Sequence, residues 1–87
     1  MTPRMDGRAS SAGNAAMVPL ARIPEGRQVR LRTVEGGHGL TARLAALGLV
    51  PGVDVVVLRN AGGPFLLAVK GSRIAIGRGM ANRILVT

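Results

Sequence analysis

Residues 40–59 read LTARLAALGLVPGVDVVVLR, a stretch that holds a helix, two chain reversals and a strand. Leu40, Leu44 and Leu47 fall at i, i+4 and i+7, and Thr41, Ala42, Arg43, Ala45 and Ala46 between them suit a short helix with Arg43 on its open face. Gly48 follows where a left-handed residue closes a helix, and Leu49 is placed to fold back on the last turn. Leu44, Leu47 and Leu49 are therefore expected in the core. Val50-Pro51-Gly52 fits a type II turn, since proline fixes φ at the second position and glycine accepts the positive φ at the third. Val53 to Arg59 is β-branched and nearly continuous, which predicts a strand with at least part of both faces covered.

Upstream, Pro24-Glu25-Gly26 is a turn signal ahead of Gln28 to Val34, where apolar and polar residues alternate. The alternation predicts a half-buried strand with Val29, Leu31 and Thr33 inward and Arg30 and Arg32 in water. Glu35-Gly36-Gly37 breaks it and leaves His38 in a loop. Downstream, residues 60–64 (NAGGP) supply a hairpin loop, and Phe65 to Lys70 returns as a strand with Phe65, Leu67 and Val69 on one face. Gly71-Ser72 is expected to turn the chain into Arg73 to Ile76, with Ile74 and Ile76 inward and Arg73 outward. Residues 77–82 form a turn or single helical turn that leaves Arg78 outward, and Ile84 to Val86 closes as the last strand.

Five short strands and one short helix make a mostly β fold. Antiparallel strands this short, joined by tight turns, curl into a small five-stranded SH3-like barrel that covers its own edges. An OB-fold is the runner-up, but it needs longer strands and a later helix. The 87 residues suffice for one domain. Residues 18–87 hold it; residues 1–17 lack apolar periodicity and are expected to be a disordered tail. Met17, where apolar content begins, is a second candidate start of translation.

Cysteine, tryptophan and tyrosine are absent and Phe65 is the one aromatic residue, which removes disulfides and thiolate metal sites. With four carboxylates scattered along the chain and one histidine, no acid, base and nucleophile are grouped for catalysis. The chain is not expected to be an enzyme or to carry a cofactor. No stretch of about 18 apolar residues exists to span a membrane, and no signal-peptide core leads the chain. A cytoplasmic protein is expected.

Twelve basic residues, eleven of them arginine, face four acidic ones, a net charge of +8. From Val18 onward ten basic and three acidic residues leave +7 on the folded part. Such a field draws anionic partners. Nucleic acid is the less favoured of them, because single-strand binders stack bases on aromatic platforms that this chain lacks. A metal-sensing site at His38, with Glu35 three residues away, falls short of a ligand set.

In order, Leu20 with Pro24-Glu25-Gly26, the strand ending at Val34-Glu35-Gly36-Gly37, the RL-x-x-LGL-x-PG run from Arg43 to Gly52, residues 63–71 (GPFLLAVKG), residues 74–78 (IAIGR) and residues 81–86 (ANRILV) resemble the FeoA family of ferrous iron transport proteins. The resemblance covers nearly everything after Met17. It implies an SH3-like domain with an accessory or regulatory role in Fe(II) uptake. The partner it implies is the cytosolic part of the membrane GTPase FeoB, which would hold the protein at the inner face of the membrane, or a second copy of the chain. The same domain also occurs appended to metal-dependent repressors; no helix-turn-helix precedes it here, which favours a free-standing protein. The family brings no ligand set that maps onto these residues. Arg43, on the open helix face, is the first candidate for partner contact, followed by Arg30, Arg32, Arg73 and Arg78.

Overall fold

The computed structural model of the chain describes residues 17–87, so the expected tail lies outside the described residues apart from Met17. The order of elements is β1 (Val18–Pro19), a 3-10 turn (Leu20–Arg22), β2 (Gln28–Val34), α1 (Gly37–Ala46), β3 (Asp54–Arg59), β4 (Phe65–Val69), β5 (Ser72–Ile76), α2 (Arg78–Ala81) and β6 (Ile84–Val86). The six strands are antiparallel neighbours in the order β1-β6-β2-β3-β4-β5, the expected five joined by the two-residue β1.

Strand β2 makes the sheet curl. Its first half pairs with β3, Gln28 opposite Val56 and Arg30 opposite Asp54. Its second half pairs with β6, Leu31 opposite Val86 and Val34 opposite Ile84. One strand thus feeds two sheet halves whose inner faces enclose a single core. That core is Leu20, Leu31, Leu44, Leu49, Val55, Val57, Phe65, Leu67, Ile84, Val86 and their buried neighbours, and no polar or charged residue is buried among the described residues. Apolar burial is the main stabilising term in so small a domain.

Thr33 does not face inward. Between Leu31 and Thr33 the register with β6 slips by one residue, a bulge that reverses the alternation, so Thr33 is exposed and Val34 half-buried. The helix starts at Gly37, not Leu40, and His38 lies in its first turn rather than in a loop. Gly36 and Gly37, both at positive φ, swing the chain into it, and the Thr41 hydroxyl donates to the Gly37 carbonyl at 2.8 Å. At the other end Leu49 N–H donates to Leu44 O and Gly48 N–H to Ala45 O, both at 2.9 Å, with Gly48 at φ +90°: a complete Schellman closure. The closure buries Leu49 but leaves Leu47 outside, 43% exposed, against the expectation that it joins the core. Leu47 is the residue at which helical geometry ends, and the i+7 spacing loses its phase there. The following turn forms as expected, Val53 N–H donating to Val50 O at 3.2 Å with Gly52 at φ +93°.

The β4–β5 hairpin turns one residue earlier than expected. Val69 is opposite Ser72, so the two-residue loop is Lys70-Gly71, both at positive φ (49° and 82°). Residues 78–81 form the helical turn α2 as expected, but Arg78, which opens it, is half-buried and not outward.

Candidate partner-binding surface

The five candidate arginines fall into three groups. Arg30 and Arg32 stand two apart on the outer face of β2, both exposed. The registers carry that face across the sheet as a row of Gln28, Val56, Ala68 and Arg73, so Arg73 belongs to the same outer surface at the β5 edge. Arg43 stands on α1. Gly48, just past that helix, lies against the Val69 end of β4, where a Cβ at Gly48 would sit 3.7 Å from Val69 Cγ1. Arg78 is at the opposite end of β4, its guanidinium carbon 5.3 Å from the centre of the Phe65 ring. The structure therefore gathers Arg30, Arg32 and Arg73 on one face and separates Arg43 from Arg78 by the length of a strand.

Their surroundings differ as well. Arg30 Nε donates to Asp54 Oδ1 at 3.1 Å in the pair that the β2–β3 register places side by side. Arg32 Nε donates to Thr87 Oγ1 at 3.0 Å, which leaves its terminal N–H groups to solvent or ligand. Arg78 over Phe65 is a cation–π contact that closes one end of the core with the stem and face of a guanidinium. Among the described residues Arg30–Asp54 is the one ion pair, so the other nine basic side chains of this stretch are without a carboxylate partner there. An array of this kind can hold phosphates or carboxylates; it can do no acid–base chemistry near neutral pH, because guanidinium stays protonated.

Glu25 and Asn60 fasten residues 21–25 to the end of β3. Asn60 Nδ2 donates to Ile23 O at 2.8 Å and to Ala21 O at 3.3 Å, while its backbone N–H donates to Glu25 Oε2 at 2.8 Å. Glu25 is thereby structural. Around His38, no group of three or more metal-ligating side chains is assembled among the described residues.

Sequence reasoning missed the exposed apolar pair Leu47 and Val50, 43% and 37% exposed at the α1 end of the barrel. The signal was present: both border the Gly48 closure, where the chain reverses and side chains on the outside of the bend meet water.

The FeoA domain as a family matches residues 18–87. A protein of Methanocaldococcus jannaschii provisionally named as an Fe(2+) transport protein A is 43% identical over 70 residues, 80% of this chain and 85% of that one. Among solved structures, an iron uptake regulatory protein FeoA superposes with a TM-score of 0.77 at 37% identity, over 82% of this chain and 95% of that one. FeoA of Stenotrophomonas maltophilia, solved with zinc and described as a prokaryotic SH3 domain protein, superposes with a TM-score of 0.70 at 27% identity, over 78% of this chain and 87% of that one. From the RL-x-x-LGL-x-PG helix and its turn to the curled sheet around them, this chain belongs to the FeoA family of ferrous iron transport accessory proteins.

Proposed function

We propose that the chain regulates ferrous iron uptake by binding the cytosolic part of a FeoB-type membrane GTPase, as a non-catalytic module of the cytoplasm brought to the inner face of the membrane by that partner. The observation that carries this reading is the contrast between core and surface. The core is wholly apolar and serves folding alone, whereas the surface carries nine basic side chains without an acidic partner among the described residues. Evenly unpaired charge of this kind steers association and sets orientation more than it adds affinity. Membership of a ferrous iron transport family supports a partner in the uptake machinery.

Arg43, Arg30, Arg32, Arg73 and Arg78 are proposed as partner contacts, with Arg43 foremost because it stands on the helix with no hydrogen-bonded or ionic partner among the described residues. The test is a pull-down of the full chain against the cytosolic domain of FeoB at about 150 mM salt, where the Debye length is about 8 Å. Binding that Arg43→Glu weakens is the expected result. No binding in any nucleotide state of the GTPase refutes the proposal.

A further inference from the structure

The α1 end of the barrel brings two kinds of exposed side chain together, apolar and basic. Leu47 and Val50, three residues apart around the Gly48 closure, are two of the four large apolar side chains exposed among the described residues. Three exposed cations are linked to this end through short connections of the chain. Arg43 is one helical turn before Leu47. Lys70 follows Val69, against which Gly48 packs. Arg32 follows Leu31, whose carbonyl accepts from Gly52 N–H at 2.7 Å, two residues past Val50. The nearest acid in the register, Asp54, has its carboxylate occupied by Arg30.

We infer that this end of the domain is a membrane-contact tip: Leu47 and Val50 enter the boundary between headgroups and acyl chains, while Arg43, Arg32 and Lys70 hold the phosphates of anionic lipids. Two arguments favour a lipid surface over a macromolecule. A protein interface of ordinary size covers about 800 Å² on each partner around a desolvated apolar centre. Here the apolar centre is two side chains, each less than half exposed, that project from a bend instead of lining a groove. A headgroup layer, by contrast, takes up single apolar side chains and adds an increment for each nearby basic residue. Single-stranded nucleic acid would be held by exposed aromatic rings that stack its bases, and Phe65, the one aromatic residue, is fully buried. The contact is weak and reversible, so Arg43 and Arg32 can leave the lipid phosphates for the GTPase surface, while the lipid contact itself needs no protein partner.

The test mixes the full chain with vesicles of phosphatidylcholine alone or with about one third phosphatidylglycerol at ~150 mM salt and follows flotation. Binding is expected to the anionic vesicles alone. Arg43→Gln and Lys70→Gln should each weaken it about fivefold, the tenfold-per-1.4-kcal/mol equivalent of one basic contact. Arg22→Gln, on the 3-10 turn beside α2, should weaken it less than twofold. Because the chain has no tryptophan, Leu47→Trp supplies a single reporter whose emission should shift to the blue on binding. Circular dichroism confirms that each variant is folded. Absence of flotation, equal loss for Arg22→Gln and Arg43→Gln, or an unshifted Leu47→Trp emission each overturns the proposal. The last two would mean only that a basic protein is drawn to any anionic surface. Absence of flotation combined with capture of an acidic protein that Leu47→Ser abolishes would assign the tip to a protein partner. Since the vesicles contain no GTPase, neither result depends on the FeoB reading.

Discussion

Replacing Lys70 by asparagine should stabilise this domain. Lys70 and Gly71 form a two-residue hairpin loop with both residues at positive φ, the type I′ arrangement whose twist matches that of the flanking strands. Glycine suits the second position, but lysine at φ 49° crowds its Cβ against the next carbonyl, at a cost of roughly 1–2 kcal/mol. Asparagine tolerates this region because its short polar side chain bonds to the local backbone. The gain should be about 0.5–1 kcal/mol. At ~4–8 °C per kcal/mol for a domain of this size, thermal unfolding should move up by about 2–8 °C. The lost charge matters little: the nearest acid in the register, Asp54, already pairs with Arg30, and both side chains are about half exposed, where such a pair contributes ~0–1 kcal/mol. Urea and thermal melts followed by circular dichroism read the effect, and Lys70→Ala decides its cause. Alanine removes the same charge but lacks the side-chain amide that bonds to the local backbone, so it should give no gain. Equal stabilisation by Lys70→Ala and Lys70→Asn would refute the backbone argument and assign the effect to charge.

Two further substitutions probe the parts that set the shape. Gly48→Ala should cost about 1–2 kcal/mol in urea unfolding, because φ +90° strains any Cβ even though the space beside Val69 is ordinary van der Waals contact at 3.7 Å. Asn60→Ala removes two side-chain donors from the carbonyls of Ala21 and Ile23 and should cost about 2–3 kcal/mol; hydrogen exchange at the Ile23 amide should speed up more than at amides in the middle of β2.

The helix, its Schellman closure, the Pro51-Gly52 turn and the strands after them were legible because each rests on local chemistry that allows few alternatives. Thr33 and Leu47 were misjudged for one shared reason. Periodicity assumes an unbroken element, and a bulge at residue 33 and a helix end at residue 47 each reset the phase. Lys70 hid the true turn, since a lysine at positive φ carries no sequence signal. Strand β1 was out of reach for a different reason: two residues have no period, and Val18–Pro19 is a strand because β6 is there to receive it. Arg30, Arg32, Arg43 and Arg73 are exposed as expected and Arg78 is half-buried, but their grouping depended on strand register, which links residues as far apart as Gln28 and Arg73 and cannot be read from spacing along the chain.

The pairing of β1 with β6 has a mechanical consequence. Val18 sits opposite Val86, so the two ends of the described fold leave from adjacent positions on one ladder. A tension applied through both ends would unzip that short ladder of two residue pairs first, before reaching the pairing of β2 with β3 and of β3 with β4. Conversely, a host protein could take up this barrel in one of its surface loops with its own backbone barely spread, the gap to be bridged being about the 5 Å between neighbouring strands. Adjacent ends of this kind would let such a domain sit in a longer chain as a bead on a string, joined to it at one corner of the curled sheet.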